Sequence, residues 1–317
     1  MTEKHILLIH TGGTISMKEN ASAGSVGPHG GNPIADVSEI PGVDAFFTVK
    51  EPFQIPSPHM TISEMIILKE LIEQTEADGV VVTHGTDTLE ETAYFLDLTL
   101  SRSIPVVVTG AMRSSNEIGA DGLPNLIAAV KTVIHDESVG KGVMVVMNET
   151  IHSARYVTKA NTGNLSAFQS LDAGPIGVVL KSGAHFYSTP APLETFDIRK
   201  VDLTIPVLTA YAGMDSFLLN QLSSCDGVVI EALGQGNLPP AAAQAVRQLI
   251  KSGVPVVIAS RCASGIVQPA YSYEGGGRTL KEAGALFSSG LNGPKARLKL
   301  FAALSAGRKK DLPSLFA

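Results

Sequence analysis

The sequence predicts an α/β protein with two doubly wound domains of mainly parallel sheet, the N-terminal one larger. Its 317 residues exceed the size at which one hydrophobic core usually stops growing. Short runs rich in Val and Ile alternate with helical patterns, as in βαβ units. The two halves also echo each other, in Asp78-Gly-Val-Val-Val and Asp226-Gly-Val-Val-Ile. This similarity favours two separate sheets, whether it reflects an internal repeat or residue types that are common in parallel strands.

The first predicted domain spans residues 1–187. Its apolar runs indicate buried parallel strands at residues 5–11, 79–83, 104–109 and 142–147. Apolar residues at three- and four-residue spacing indicate crossover helices at 89–100 and 123–134.

The second predicted domain spans residues 205–317 and follows a Pro-containing linker, 188–204. Its periodicity indicates three strands and three helices. We expect the strands at 205–211, 227–231 and 254–260, and the helices at 216–223, 239–251 and 294–304.

Composition narrows the class of partner. A formal charge of -6 leaves no basic face for nucleic acid or anionic membrane, so we expect a small-molecule substrate. No apolar run approaches the roughly 20 residues that span a bilayer, and the first one is too short for a signal peptide. Cytoplasmic residence is therefore expected. Cys225 and Cys262 are too few for a disulfide framework and belong to no metal-binding cluster, so both are expected to be ordinary buried thiols.

Residues 18–35 are rich in Gly and Pro and have no apolar periodicity, which predicts a loop. A loop of this length is usually a functional lid or a disordered segment. Because it directly follows the first strand, the lid interpretation is favoured.

Three strand ends carry Gly, Thr and charged residues: Thr11-Gly12-Gly13-Thr14, His84-Gly85-Thr86-Asp87-Thr88 and Thr109-Gly110-Ala111-Met112-Arg113. In open α/β sheets, ligands bind beyond the carboxyl ends of the strands. The glycines allow tight turns and close approach of a ligand to the main chain. The alternative is that the threonines merely cap helices and form turns.

The pair Thr88 and Glu91 has capping-box spacing. This predicts that Thr86 and Asp87 lie at the amino end of a helix, where free N–H groups favour a carboxylate or an oxyanion. His59 and His84 are candidate bases, although no spacing supports a triad. The motifs of dinucleotide binding, P-loops, zinc proteases and serine hydrolases do not occur, and no cofactor or metal is implied.

In combination, the motifs resemble the bacterial-type L-asparaginases. They include Thr11-Gly-Gly-Thr-Ile15, Thr83-His-Gly-Thr-Asp-Thr88 and Val157-Thr-Lys-Ala-Asn161. The resemblance implies hydrolysis of the side-chain amide of L-asparagine through a threonine nucleophile and a covalent acyl-enzyme. It assigns the attack to Thr14, and the second part of the machinery to Thr86, Asp87 and Lys159. A threonine hydroxyl needs a neighbour that withdraws its proton, and ammonia leaves only when it receives one.

The order of the steps stays open, because Asp87 favours the charged form of a Lys159 that must be neutral to act as a base. Which threonine acts first is open as well. Weaker L-glutaminase activity is also expected, since one methylene is discriminated by only about 1 to 3 kcal/mol.

The resemblance also implies the binding residues. Asp87 would accept the substrate ammonium, Ser57 would hold its carboxylate, and Gly85 and Ala111 would bring main chain close to the substrate. Asn237 would reach the site of a neighbouring subunit in a homo-oligomer, a dimer or a tetramer.

Two positions depart from the family pattern. Ala21 stands where many members have a lid tyrosine, and Glu274 is a loose match to the acid supplied by a neighbouring subunit. The altered lid is the one feature that supports a second hypothesis, a non-catalytic α/β protein that binds a small molecule. The acidic balance argues against a third, the amidase subunit of a tRNA-dependent amidotransferase.

Overall fold

The computed structural model describes residues 3–20, 25–28, 43–192 and 194–317, with residues 18–20 and 25–28 described by their backbone alone. The chain forms two compact units, Met1–Thr195 and Phe196–Ala317. Each unit contains a sheet with helices packed against it, so the predicted two-domain α/β fold is confirmed. Every helix among the described residues is too short or too polar to cross a membrane.

The strands of the first unit alternate with helices in its amino-terminal part. The strands described are β1 (Lys4–His10), β2 (Met17–Asn20), β3 (Ser25–Pro28), β4 (Ala45–Lys50), β5 (Gly79–Thr83), β6 (Val106–Thr109), β7 (Val143–Met147), β8 (Thr150–Ser153), β9 (Thr158–Lys159), β10 (Phe168–Gln169), β11 (Gly177–Leu180) and β12 (Gly183–Phe186). The helices are α1 (Ile62–Glu73), α2 (Leu89–Thr99) and α3 (Gly122–Val133), with 3-10 turns at Thr14–Ser16, Ser57–His59 and Asp136–Ser138.

Eight of these strands form one sheet in the order β12-β11-β8-β7-β6-β5-β1-β4. The run from β4 to β7 is parallel, and β8, β11 and β12 are antiparallel to their neighbours. Ile6 and Leu8 pack on one face with Leu126 of α3. Leu7 packs on the other face with Leu68 of α1. Both faces are covered, which explains why the strands are continuous apolar runs.

The strand register places the three motifs side by side. His10 of β1 pairs with Thr83 of β5, and Thr83 pairs with Thr109 of β6. The contact continues past the strands, because Thr11 N donates to Thr83 O at 3.1 Å and His84 N donates to Thr109 O at 2.8 Å. All three strands are parallel, so their carboxyl ends lie at one edge of the sheet.

The second unit is built around a smaller sheet of four parallel strands. These are β13 (Val207–Thr209), β14 (Val228–Ala232), β15 (Val256–Ser260) and β16 (Leu286–Phe287), in that order. Its helices are α4 (Pro240–Lys251), α5 (Gly277–Glu282), α6 (Gly293–Ser305) and α7 (Leu312–Leu315), with 3-10 turns at Leu219–Gln221 and Lys309–Asp311.

The predicted helix at 216–223 is wrong, since only the turn Leu219–Gln221 forms there. Phe217 and Leu218 are exposed, and only Leu219 and Leu222 of the segment pack against the core, so the apolar contact covers a single turn. The predicted first strand of this unit is shortened to Val207–Thr209. Residues 188–192 and 194–204 contain neither helix nor strand, and the exact domain limits stay a prediction.

The predicted loop at 18–35 is wrong for its two described segments. The strands β2 and β3 pair antiparallel, with Met17 opposite Pro28. Pro28 is the last residue of its strand, where a missing N–H donor disrupts the ladder least. Ala21 and the rest of the predicted lid lie outside the described residues. The expectation of two buried thiols is wrong for Cys262, which is exposed, whereas Cys225 is half-buried.

Candidate active site

The first motif depends on two glycines that bring its main chain against neighbouring backbone. Gly12 has φ +100° and Gly13 has φ +81°, both in the left-handed region. A Cβ on Gly12 would lie 2.7 Å from the main-chain N and O of Ile55, and one on Gly13 would lie 2.3 Å from the Cα of Gly85. The half-buried Thr14, which opens the turn Thr14–Ser16, therefore follows a point where the first motif touches the second.

The second motif rests on Ser57, which is buried. A Cβ on Gly85 would lie 2.7 Å from the Cβ of Ser57. Asp87 N donates to Ser57 Oγ at 3.1 Å, and Thr88 Oγ1 donates to Ser57 O at 2.8 Å. Ser57 is thus fixed under the turn that carries Thr86 and Asp87.

Thr88 is the N-cap residue of α2, but the predicted capping box is wrong. Its hydroxyl is directed to Ser57 O, and no side-chain hydrogen bond caps the helix. A capping box that the sequence analysis missed does form at α1, where Thr61 and Glu64 exchange hydrogen bonds.

Lys159 joins the second motif from the short strand β9. Its Nζ donates to Thr86 Oγ1 at 2.9 Å and to Asp87 Oδ1 at 2.7 Å. The Lys159 side chain is 15% exposed and that of Asp87 is 60% exposed. A hydroxyl, an amino group and a carboxylate are therefore in direct contact, and the catalytic roles predicted for these residues stay a prediction. Among the described residues, no hydrogen bond or ion pair joins Lys159 to Thr14.

A fourth side chain, Glu90 on the first turn of α2, also reaches β9. Its Oε1 accepts from Thr158 Oγ1 at 3.0 Å and from Lys159 N at 3.2 Å. The sequence analysis missed this residue. The only signal was its place three residues after Asp87, on the first turn of the helix that follows the motif.

The third motif is held by Asp121 and Asn125, which the sequence analysis also missed. The Asp121 carboxylate accepts from Met112 N at 3.0 Å and from Arg113 N at 2.9 Å. Asn125 Nδ2 donates to Gly110 O at 3.0 Å and to Asp121 Oδ2 at 2.9 Å. Three main-chain groups on either side of the buried Ala111 are thereby tied to the amino end of α3.

Gly110 connects this motif to the second one. A Cβ on Gly110 would lie 2.6 Å from His84 O and 3.3 Å from Thr86 Cγ2. The three strand-end motifs therefore pack side by side: Gly13 contacts Gly85, and Gly110 contacts His84 and Thr86 of the second motif.

The two buried histidines beside the motifs are neutral. Burial lowers the pKa of His84 to about 4, partly opposed by the Gly85 carbonyl. Its Nδ1 donates to Gly85 O at 2.7 Å, and its Nε2 accepts from Thr92 Oγ1 at 3.0 Å. Burial also lowers the pKa of His10 to about 4, opposed by the charge of Glu51. With both ring nitrogens of His84 engaged, the structure favours a structural role over its predicted role as a base.

An open depression of about 330 Å³ lies beside the lysine. It is lined by Asp87, Glu90, Lys159, Ala160, Asn161 and Thr162. Thr14 is not part of this lining, so the depression borders only the second half of the candidate site. In the part of the chain that the structure describes, no cluster of His, Cys, Asp or Glu comes together in a form that would hold a metal.

Two predicted site residues belong to the second unit. Asn237 pairs with Leu233 through its backbone, and its Oδ1 accepts from Gly277 N at 3.0 Å. Glu274 is exposed and lies 3.4 Å from an Arg247 guanidinium nitrogen. Their predicted roles at a neighbouring subunit's site stay predictions.

Comparison with known proteins gives similarity along most of the chain. Residues 5–192 match the family described as "Asparaginase, N-terminal", and residues 204–313 match the "Glutaminase/Asparaginase C-terminal domain". The chain is 41% identical over 314 residues to a probable L-asparaginase of Deinococcus radiodurans, covering 96% of this chain and 94% of that protein. It is 34% identical over 320 residues to an L-asparaginase of Bacillus licheniformis, covering 99% of both. It is 33% identical to a probable periplasmic L-asparaginase of Haemophilus influenzae, covering 95% of this chain and 88% of that protein.

Proposed function

The chain belongs to the asparaginase family, and we propose that it hydrolyses the side-chain amide of L-asparagine to L-aspartate and ammonia through a threonine nucleophile. The observation that carries the proposal is the contact of Lys159 Nζ with both Thr86 Oγ1 and Asp87 Oδ1. The contact between Gly13 and Gly85 supports it, because it brings the Thr14 turn against the same segment. The resemblance to this family that the sequence predicted is confirmed.

In the proposed reaction, Thr14 Oγ1 gives its proton to the Thr86–Lys159 pair as it attacks the side-chain carbonyl carbon of asparagine, and a tetrahedral oxyanion forms. The C–N bond then breaks as the leaving nitrogen takes a proton and departs as ammonia. The resulting ester on Thr14 is attacked by water, which releases aspartate and restores the hydroxyl. The Thr86–Lys159 pair is the proton-transfer network for these steps, since an amine next to a hydroxyl can accept and return a proton.

We assign substrate binding to two polar groups at the second motif, the Asp87 carboxylate and the Ser57 hydroxyl. Asp87 Oδ1 binds Lys159, whereas no hydrogen bond from a described residue reaches Oδ2, which we assign to the substrate ammonium. Ser57 Oγ accepts from Asp87 N, so its own proton is left for the substrate carboxylate. Gly85 directly precedes Thr86, and Gly110, the neighbour of Ala111, lies against the Thr86 side chain, so we assign the main chain at Gly85 and Ala111 to the reacting amide.

The test is ammonia release from L-asparagine and from L-glutamine by wild-type protein, Thr14→Ala and Thr86→Ala. Thr48→Ala, an exposed threonine on β4, is the control. We expect turnover of asparagine, weaker turnover of glutamine, and loss of both in the two site variants only. Folded wild-type protein that releases no ammonia would contradict the proposal and favour the non-catalytic binding protein.

Assembly and compartment are part of the same proposal. We assign a homo-oligomer, a dimer or tetramer, in which Asn237 serves a neighbouring site, and residence in the cytoplasm. Light scattering of the purified protein tests the first assignment. Fractionation of the native host tests the second, and recovery in the periplasm would contradict it.

A further inference from the structure

We infer that Glu90 is a positioning residue for Lys159: it fixes the lysine's main chain so that its ammonium reaches Thr86 and Asp87. The inference rests on the proposed function, because it concerns the same proton-transfer pair. Glu90 lies at the depression beside Lys159, on the helix turn that directly follows the second motif.

Residues 86–90 bind Lys159 at two points, its side-chain Nζ and its backbone N–H. At the tip, Nζ donates to Thr86 Oγ1 and Asp87 Oδ1 at 2.9 and 2.7 Å. At the base, the main-chain N–H donates to Glu90 Oε1 at 3.2 Å. All the acceptors lie within residues 86–90, so the lysine and the motif form a closed loop of contacts.

The strand that carries Lys159 has only a short ladder, which Ala160 N extends by donating to Ala167 O at 2.7 Å, and the buried Val157 precedes it. β9 and β10 are two residues long, and their ladder pairs Lys159 with Phe168 and Thr158 with Gln169. A two-stranded pairing of this length is marginal by itself. Glu90 binds this strand twice, through Thr158 Oγ1 and Lys159 N, and so ties it to α2.

The chemistry requires such a tie. A lysine side chain has four rotatable bonds, so its Nζ returns to one point only when its Cα is fixed. A displacement of about 1 Å at a reacting group can lower the rate by about 10²-fold. The two groups of β9 that donate to Glu90 Oε1 are neutral, a backbone N–H and a hydroxyl. The tie to β9 therefore needs an acceptor oxygen and not a charge.

Two variants of Glu90 separate the loss of the acceptor oxygen from the loss of the charge. Glu90→Gln retains an Oε1 acceptor and removes the charge, whereas Glu90→Ala removes both. With asparagine as substrate, we expect Glu90→Ala to lower kcat by about 10- to 100-fold with KM within about threefold. We expect Glu90→Gln to restore kcat to within about threefold of wild type. Glu70→Gln, an exposed acid on α1, is the control for charge.

A double-mutant cycle isolates the contact with Thr158. Thr158→Val removes one of the two donors, so kcat should fall by less than in Glu90→Ala. Combined with Glu90→Ala it should cause no further loss, because the acceptor is already gone. Additive losses, or a Glu90→Ala variant with wild-type kcat, would overturn the inference.

Amide hydrogen exchange gives a readout that does not depend on turnover. In Glu90→Ala, a peptide containing Lys159 should exchange faster than in wild type, whereas Glu90→Gln should resemble wild type. If wild-type protein has no asparaginase activity but the exchange follows this pattern, the proposed function fails while the tie stands. Unchanged exchange in Glu90→Ala would overturn the tie itself.

Discussion

The main chains of Gly13 and Gly85 touch, since a Cβ atom added to Gly13 would lie 2.3 Å from the Cα of Gly85. This contact joins the turn that carries Thr14 to the turn that carries Thr86. Its partners are backbone atoms, which cannot move aside as the end of a flexible side chain can. The spacing of the two threonines is therefore set by backbone, and the residue at position 13 has no room for a side chain.

Gly13→Ala is expected to abolish activity and to lower the free energy of unfolding by more than the about 1 to 2 kcal/mol that a left-handed residue with a Cβ costs. Gly140→Ala is the matched control. Gly140 has φ +77° and nothing within 4 Å of the added Cβ, so it shares the backbone strain without the overlap. Urea denaturation and asparagine turnover measure the two effects. Equal losses in the two variants would contradict the importance of the Gly13–Gly85 contact.

Lys159→Met is expected to lower kcat by about 10²- to 10⁴-fold, the range that a positioned acid or base contributes. The side chain keeps roughly its length and loses its hydrogen bond to Thr86, its ion pair with Asp87 and its ability to exchange a proton. Lys131→Met, at a half-buried lysine that donates to Lys181 O, is the control for removal of a charge. Steady-state kinetics at saturating asparagine provide the measurement. A variant that keeps kcat and changes only KM would place Lys159 in binding instead.

Asp121→Ala is expected to lower both stability and turnover, because it frees the main chain of Met112 and Arg113 beside Ala111. Hydrogen bonds to a charged group contribute about 1.5 to 3 kcal/mol each. Asp136→Ala serves as the control, since the Asp136 side chain is exposed and its partner among the described residues is Lys4. Thermal unfolding and ammonia release measure the outcome. Wild-type turnover in Asp121→Ala would contradict the assignment of this main chain to the substrate.

Acidification is expected to destabilise the protein between about pH 6.5 and 4. The pKa of His84 falls from 6.5 to about 4 on folding, so below 6.5 the unfolded state binds a proton that the folded state does not. At 1.36 kcal/mol per pKa unit, this removes about 3 kcal/mol of the free energy of unfolding by pH 4. His10 acts in the same direction.

Urea denaturation at a series of pH values tests this dependence. His84→Gln should have a shallower slope than wild type in that window. His185→Gln, at an exposed histidine, should keep the wild-type slope. An unchanged slope in His84→Gln would show that its burial does not govern the acid response.

The sequence predicted the elements whose signal is local. The Val-rich strands and the Thr-Gly motifs after them follow from burial on both faces and from the left-handed φ of the glycines. The role of Glu90 was not predicted, because its partner Lys159 is 69 residues away in the chain. The pairing exists only once β9 lies beside α2.

The capping box predicted at the start of α2 did not form, although its signal was local. Thr88 and Glu91 have the right spacing, but the Thr88 hydroxyl binds Ser57 O, 31 residues away. A tertiary hydrogen bond competed with the local one. Spacing alone cannot show which partner a hydroxyl will choose.

The parallel pairing of β1, β5 and β6 also affects the rate at which the protein folds to its active state. Thr11, Thr83 and Thr109 are 72 and 26 residues apart in the chain, and each parallel pair must close a crossover before it forms. Such non-local pairing slows folding, because the entropy of closing long loops is lost before contacts compensate for it. No single hairpin or helix contains the three turns. During refolding, turnover should therefore recover with the slow phase in which the central sheet assembles, well after helix content has returned.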